Sequence, residues 1–238
     1  MASHIVKLKG KREVAKNTIE FTFEKPDGFE FDAGQYVDIT LINPPETDEE
    51  GDTRTFSTPS APFEDNIKIA VRMRDTAFKR TLKSMPVGAE VRMDDAIGQF
   101  ALPNKTTHPV VMIAGGIGIN PFISLLKQEE RDGTRHKLFL FSSNRSIGDI
   151  VYFDLVKRLG SKNPRLKVIF TLTKKIHKSW NGEEGRMSMK MIEKYVKGLK
   201  DAFYLIAGPP LMVRAMVKML ITAGIHKQKI QFEEFTGY

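Results

Sequence analysis

The chain has 238 residues, 41% of them hydrophobic, which is enough for one large domain or two of roughly 100–150 residues each. It contains no cysteine, which excludes disulfides, thiolate zinc sites and cysteine-ligated iron–sulfur clusters, and its five histidines form no metal-binding pattern. The net charge is +8, spread over both halves without a nucleic-acid motif, so the basicity points to phosphorylated cofactors, an acidic protein partner or a solvated surface. No apolar run approaches the ~18 residues of a membrane span, and residues 1–10 carry no secretory pattern. A cytoplasmic protein with no membrane span and no nucleic-acid partner is expected.

The first hundred residues alternate apolar and polar side chains. Ile19, Phe21 and Phe23, then Val37, Ile39 and Leu41, then Ile67, Ile69, Val71 and Met73 have the period of two of half-buried strands. Turn signals separate them at Pro26-Asp27-Gly28, Ala33-Gly34, Asn43-Pro44-Pro45 and Val87-Gly88. Short strands at this spacing suggest an antiparallel barrel or sandwich. Residues 46–53 are acidic and polar, a surface loop. A single helix is predicted at 77–85, with Phe78 and Leu82 on one face. A polar stretch bounded by prolines then marks a boundary, giving domains 1–104 and 105–238.

Beyond it, strands alternate with helices. Apolar runs fall at 110–114, 137–141, 166–172, 203–207 and 229–235, and helical periods near 121–130, 149–159, 188–199 and 211–223. This is the pattern of a doubly wound α/β domain, a parallel sheet of order 3-2-1-4-5 with helices on both faces.

Two glycine turns follow strands of this second half. Gly115, Gly116 and Gly118 follow the first strand, with Asn120 and Pro121 opening the next helix. A strand, a glycine turn and a helix start make a phosphate cradle, because the backbone can approach an anion and the first helical amides point at it. Pro121 suits a first helical turn, although it stands where the usual dinucleotide fingerprint has a third glycine. The second turn is Ala207-Gly208-Pro209-Pro210 after the fourth strand. In this order strands one and four are neighbours, so Gly208 and Pro209 face the same crevice as Gly115. The second strand ends in Ser142-Ser143-Asn144-Arg145-Ser146 without a carboxylate until Asp149, and the third ends near Thr173 and Lys174. Arg145, Thr173 and Lys174 suit a ribose 2′-phosphate, favouring NADP over NAD; the alternative is loop residues of a basic protein. In the first half, Val71, Arg72 and Arg74 lead to a helix start at Thr76 with Lys79, Arg80 and Thr81, a second anion site. Two such sites suggest two nucleotides, or a nucleotide and a flavin.

In this order the segments resemble the ferredoxin–NADP reductase family. Gly34-Gln35-Tyr36-Val37 precedes Arg54-Thr55-Phe56-Ser57, which is similar to the family's Arg-x-Tyr-Ser flavin motif. Residues 78–81 resemble the flavin pyrophosphate segment, and Gly98-Gln99-Phe100 closes the barrel. Residues 115–121 resemble the pyridine-nucleotide motif, 207–210 the Cys-Gly-Pro-Pro motif, and Glu233-Glu234-Phe235 the C-terminal Glu-x-aromatic. The resemblance implies FAD in an N-terminal six-stranded Greek-key barrel and NADP(H) in the second domain. It implies that Arg54 pairs with the FAD pyrophosphate, with the amides of Lys79, Arg80 and Thr81 beside it. It places Thr55, Val71 and Arg72 at the FAD, Phe56 against the isoalloxazine, Ser57 near its N5, and Phe235 over the opposite face. Ser57 and Glu233 are the expected catalytic pair, tuning the flavin and relaying protons.

The sequence departs from the family at three places. Phe56 replaces tyrosine and keeps stacking without the phenol hydrogen bond. Ala207 replaces the cysteine near the nicotinamide. Thr236-Gly237-Tyr238 extends past Phe235, so Tyr238 is a second candidate to cover the flavin. The expected function is hydride transfer from NADPH to FAD, with electrons passed to a separate acceptor. That acceptor is an acidic electron-transfer protein such as ferredoxin or flavodoxin, or a small molecule. The alternatives are a reductase component of an oxygenase, a free flavin or quinone reductase, and a non-catalytic flavin- or nucleotide-binding regulator.

Overall fold

The period-two stretches of the first half form strands that join one antiparallel sheet. The computed structural model describes residues 2–104, 106–133, 136–174 and 178–236. Its first sheet comprises β1 (Ser3–Ala15), β2 (Thr18–Glu24), β3 (Tyr36–Leu41), β4 (Thr53–Ser57), β5 (Asn66–Arg72) and β6 (Glu90–Asp94), in the order β4-β3-β6-β1-β2-β5. β1 escapes the sequence reading because only Val6 and Leu8 of its side chains are buried. Ser3 to Lys7 pair with β6 and Leu8 to Ala15 with β2, and a register shift between Leu8 and Gly10 bends the strand from one partner to the other. The segment that follows β4 is tied to the edge strand β5 by hydroxyls: Thr58 Oγ1 donates to the Lys68 carbonyl (2.9 Å) and Ser60 Oγ to that of Asn66 (2.8 Å). Helix α1 (Ala77–Ser84) turns Phe78 and Leu82 into the core beside Phe21, Ile39 and Ile69. Thr76 caps it by accepting from Lys79 N.

The second sheet is parallel, in the order β10-β9-β8-β7-β11-β12. Its strands are β7 (Val110–Gly115), β8 (Leu138–Asn144), β9 (Leu166–Leu172), β10 (Glu183–Glu184), β11 (Phe203–Gly208) and β12 (Ile230–Glu234). This is the expected 3-2-1-4-5 order extended by the two-residue β10. Successive β7 side chains alternate between two cores. Val110, Met112 and Ala114 face a cluster with Phe122 and Leu126 of α2 (Asn120–Asp132) and Val156 of α3 (Phe153–Lys162). Val111 and Ile113 face Met191 of α4 (Met189–Glu193) and Val213 of α5 (Pro210–Thr222). Two helices differ from expectation. The helix expected from 149 begins at Phe153, because Tyr152 adopts φ 57° ahead of it. The helix expected over 188–199 is only α4; Val196 is buried from the turns that follow, so inward packing there mimics a helical period.

The two sheets meet along β5 and α2. Ala70 faces out of the first core and joins the α2 cluster. Ser124 Oγ donates to the Ser60 carbonyl (2.6 Å) and accepts from Gly34 N (3.3 Å), all buried. A Cβ on Gly34 would lie 2.0 Å from the Phe100 carbonyl oxygen, so glycine is required for this approach. The Tyr152 hydroxyl donates to buried Glu20 (2.7 Å), tying α3 to β2.

Candidate functional site

The turn after β7 separates two cavities. Gly116 takes φ 51°, and one 3₁₀ turn carries the chain from Gly116 to Ile119 before α2 starts at Asn120, with Pro121 in its first turn. A Cβ on Gly118 would lie 2.1 Å from the Ala207 carbonyl oxygen, and one on Gly115 would lie 2.5 Å from Met212 Sδ. Gly118 therefore lets the turn lie against β11, whereas Gly115 and Gly116 line a crevice of about 290 Å³. Pro209 and Met212 bound it on one side, and Ser143, Asn144, Arg145 and Thr173 on another. Gly208 stands behind this wall, its Cα side against Gly115. Lys174 is exposed next to the crevice, its amide bonded to the Arg145 carbonyl (2.9 Å), so the two cationic residues are neighbours.

Arg72, expected at the flavin, lines this same crevice from the first sheet. Its Nη1 lies 3.1 Å from Asp149 Oδ1 and donates to the Lys16 carbonyl (3.2 Å). Burial pushes the Asp149 carboxyl up, but the Ser146 hydroxyl and Arg72 together hold it below the usual carboxylate range. Arg72 Nε and Asn144 Oδ1 are buried and unpartnered, two polar atoms in the wall of the crevice that a ligand can satisfy. Asn17 and Asn144 also line it and were not among the expected site residues; Arg74, read with Arg72 as leading to an anion site at the start of α1, lines it as well. For Arg74 the signal was its place two residues past Arg72; nothing local marks Asn17.

The second cavity, about 310 Å³, lies on the other side of the turn. Its wall holds Tyr36, Thr55, Phe56 and Ser57 from β3 and β4, and Ala70 from β5. Ile117, Asn120, Glu233 and Phe235 complete it from the second half. Asn120, expected at the nucleotide, thus faces this cavity; its Nδ2 donates to the Ala70 carbonyl (3.2 Å) and its Oδ1 is buried without a partner. Ser57 Oγ donates to Glu233 Oε2 at 3.4 Å. Burial pushes the Glu233 carboxyl up to about 7, against the opposing effect of that hydrogen bond. The Phe235 amide donates to the Gly208 carbonyl (2.9 Å), which pins this aromatic beside both glycine turns. Tyr238 lies outside the described residues. Val71 points into the barrel core, so only its backbone is available to a ligand. The Thr55 hydroxyl is bonded to Asp38.

The α1 corner lies beside Phe56, whose ring is 5.9 Å from that of Phe78. Arg54 stacks over Phe78 (5.1 Å) and is only 19% exposed. Burial and the nearby Arg74 charge hold the Lys79 ammonium below its usual range. Arg80 is exposed and ion-paired. Thr81 is 6% exposed and its hydroxyl has no partner. Flat aromatic walls, a cationic corner and orphaned polar atoms fit a flavin dinucleotide, and the glycine crevice fits a pyridine nucleotide. Among the described residues no His, Asp or Glu cluster suits a metal, and no helix is long and apolar enough to cross a membrane.

Comparison with known proteins agrees with this geometry. The family model for an oxidoreductase NAD-binding domain matches residues 112–218. The reductase component of propane 2-monooxygenase from Mycolicibacterium goodii is 26% identical over 219 residues, covering 90% of this chain and 61% of its own. Flavohemoprotein A of Dictyostelium discoideum is 27% identical over 248 residues, covering 94% and 58%. The chain thus spans about three-fifths of the length of these relatives. The fold matches a cytochrome P450 reductase from Amycolatopsis with a TM-score of 0.85 at 20% identity, covering 99% of this chain and 71% of that one. It also matches a ferredoxin NADP+ reductase from Neisseria gonorrhoeae with bound FAD and NADP, with a TM-score of 0.82 at 21% identity and 98% of both chains covered. The chain thus carries an oxidoreductase NAD-binding domain over residues 112–218, shares its fold with a ferredoxin NADP+ reductase, and is similar to reductase components along nine-tenths of its sequence.

Proposed function

We propose that the protein is an FAD-dependent reductase that takes electrons from NADPH and delivers them to a separate acceptor. The observation that carries this reading is the pair of cavities sharing one wall: Gly115 and Gly116 line one, and Ile117 and Asn120 line the other. An electron donor and an electron carrier bound on either side of that wall are neighbours. FAD, when bound, accepts an electron pair and returns electrons singly. Everything else falls to the protein. Phe56 and Phe235 hold a planar ring, and Arg54 with the start of α1 holds phosphate. Gly115, Gly116, Pro209 and Arg72 hold the nucleotide, and Arg145, Thr173 and Lys174 select its 2′-phosphate. Glu233, titrating near neutrality, takes up or releases a proton at the cavity wall, and its carboxylate accepts from the Ser57 hydroxyl. Residues 1–104 form the flavin half and 105–238 the nucleotide half.

For the acceptor, the relatives favour an oxygenase system over a free-standing ferredoxin or flavodoxin. The relatives include reductase components of propane 2-monooxygenase and of glycine betaine monooxygenase. Without cysteine, these 238 residues ligate no thiolate cluster, so single electrons leave to a carrier outside them. A net charge of +8 steers an acidic one.

The test is an anaerobic titration of the purified protein followed by absorption. A flavin spectrum bleached faster by NADPH than by NADH supports the reading. A protein that takes up no FAD overturns it, and a bound flavin that neither nucleotide bleaches turns it into a binding regulator.

A further inference from the structure

The acidic loop that follows β3 lies on the α1–Arg54 corner. Asp48 Oδ2 accepts from Ala77 N (3.0 Å), the first amide of α1, and its Oδ1 lies 3.2 Å from Arg54 Nη2. Glu50 Oε2 reaches the same nitrogen at 2.9 Å, and Glu46 accepts from Arg80 Nε at 2.9 Å. One loop thus sets three carboxylates on a helix start and on two guanidinium groups. Free helical amides and a half-buried arginine are the donors that a diphosphate takes.

The loop fits that corner incompletely. Thr81 lies on the same face of α1 as Ala77, and helical side chains tilt toward the N-terminus, so its hydroxyl leans toward the corner. That hydroxyl is buried and no carboxylate of the loop reaches it. Left-handed residues stand on either side of the three carboxylates, Asn43 at φ 46° before them and Gly51 at φ 72° after them, points at which the chain already turns sharply.

We propose that residues 46–52 act as an internal anion that competes with the diphosphate of a dinucleotide flavin for the α1–Arg54 corner. The segment swings out when the cofactor binds and folds back when the corner is vacated. This inference rests on the FAD reading above. It makes cofactor retention a balance between two anions, one covalently part of the chain and the other supplied by solution.

The test uses the full chain stripped of flavin and titrated with FAD and with riboflavin, which lacks phosphate. Removing the three contacting charges of the loop in an E46Q/D48N/E50Q variant is expected to tighten FAD binding roughly tenfold, by freeing donors the phosphates need. Riboflavin binding is expected to stay unchanged. A correctly folded variant that binds FAD no tighter than wild type overturns the proposal while leaving the FAD reading standing. If neither protein takes up FAD, the reading and the proposal fall together. A second measurement needs no variant: a glutamate-specific protease should cut the wild-type chain at Glu49 and Glu50 faster when FAD is present. Protection of those bonds by FAD would mean that the loop closes over the cofactor, and would overturn the proposal.

Discussion

The Ser57 hydroxyl donates to Glu233 Oε2 at 3.4 Å, joining the end of β4 to β12 across 176 positions of sequence. Burial raises the Glu233 carboxyl from 4.5 to about 7 in the folded chain. The folded state therefore binds more protons than the unfolded one between these values. Its stabilising contribution is complete below about 4.5 and is lost as pH rises through about 7. In flavin-free protein, Glu233→Gln should flatten this slope and leave the variant more stable than wild type at pH 8, by on the order of 2–3 kcal/mol. Urea unfolding at pH 5 and pH 8 checks it; parallel profiles for the two proteins would refute the assignment. The turnover of the loaded enzyme should likewise lose its inflection near neutral pH.

In the proposed function, nucleotide choice rests on the exposed neighbours Arg145 and Lys174. Arg145→Ala and Lys174→Ala should each raise KM for NADPH about tenfold, the cost of one charge-assisted phosphate contact, with little change for NADH. Steady-state kinetics with both nucleotides decide this. Equal losses for the two would move these residues away from the 2′-phosphate.

Arg72 should behave differently. It reaches the crevice from the first sheet and contacts Asp149 of the second half. Arg72→Ala should weaken NADPH and NADH alike, because it leaves the ribose end untouched and removes a cation from the shared part of the crevice. A loss confined to NADPH would place it with Arg145.

Gly118 carries a steric demand. A methyl group there meets the Ala207 carbonyl oxygen at 2.1 Å, and that atom is backbone in a central strand. Gly118→Ala should cost about 2–3 kcal/mol through displacement of the turn from β11. Thermal melting and FAD affinity should fall together, since Ile117 and Asn120 of the same segment line the flavin-side cavity.

The contact between the halves offers a further test. Ser124→Ala removes a buried hydroxyl that satisfies both the Ser60 carbonyl and the Gly34 amide. Leaving these two groups unpaired should destabilise the protein by about 1–3 kcal/mol. Chemical denaturation would reveal it, and an unchanged midpoint would mean that water replaces the hydroxyl.

Much of this architecture is legible in the sequence because burial writes periodicity. β7, β8 and β11 read directly as apolar runs, since they are covered on both faces. β1 does not, because a strand with two buried side chains leaves almost no pattern. Both glycine turns are readable, yet their division of labour is not: Gly118 packs against β11, whereas Gly115 and Gly116 line the crevice. The placements of Arg72 and Asn120 were likewise hidden. Which cavity a residue faces depends on how the two halves dock, and docking is carried by buried hydrogen bonds such as Ser124 to Ser60 that leave no periodic trace. Glu233 was found only through its resemblance to a C-terminal motif; its raised proton affinity comes from burial that no local pattern announces.

The alternation of β5 has a geometric consequence. Ala70 lines one cavity and Arg72 the other, two residues apart on one extended strand. Two residues of strand advance about 6.6–6.8 Å. The separation of the two chambers at this wall is therefore ruled by covalent backbone dimensions rather than by any side chain. Substitutions can repaint the lining of either chamber without lengthening the path between them.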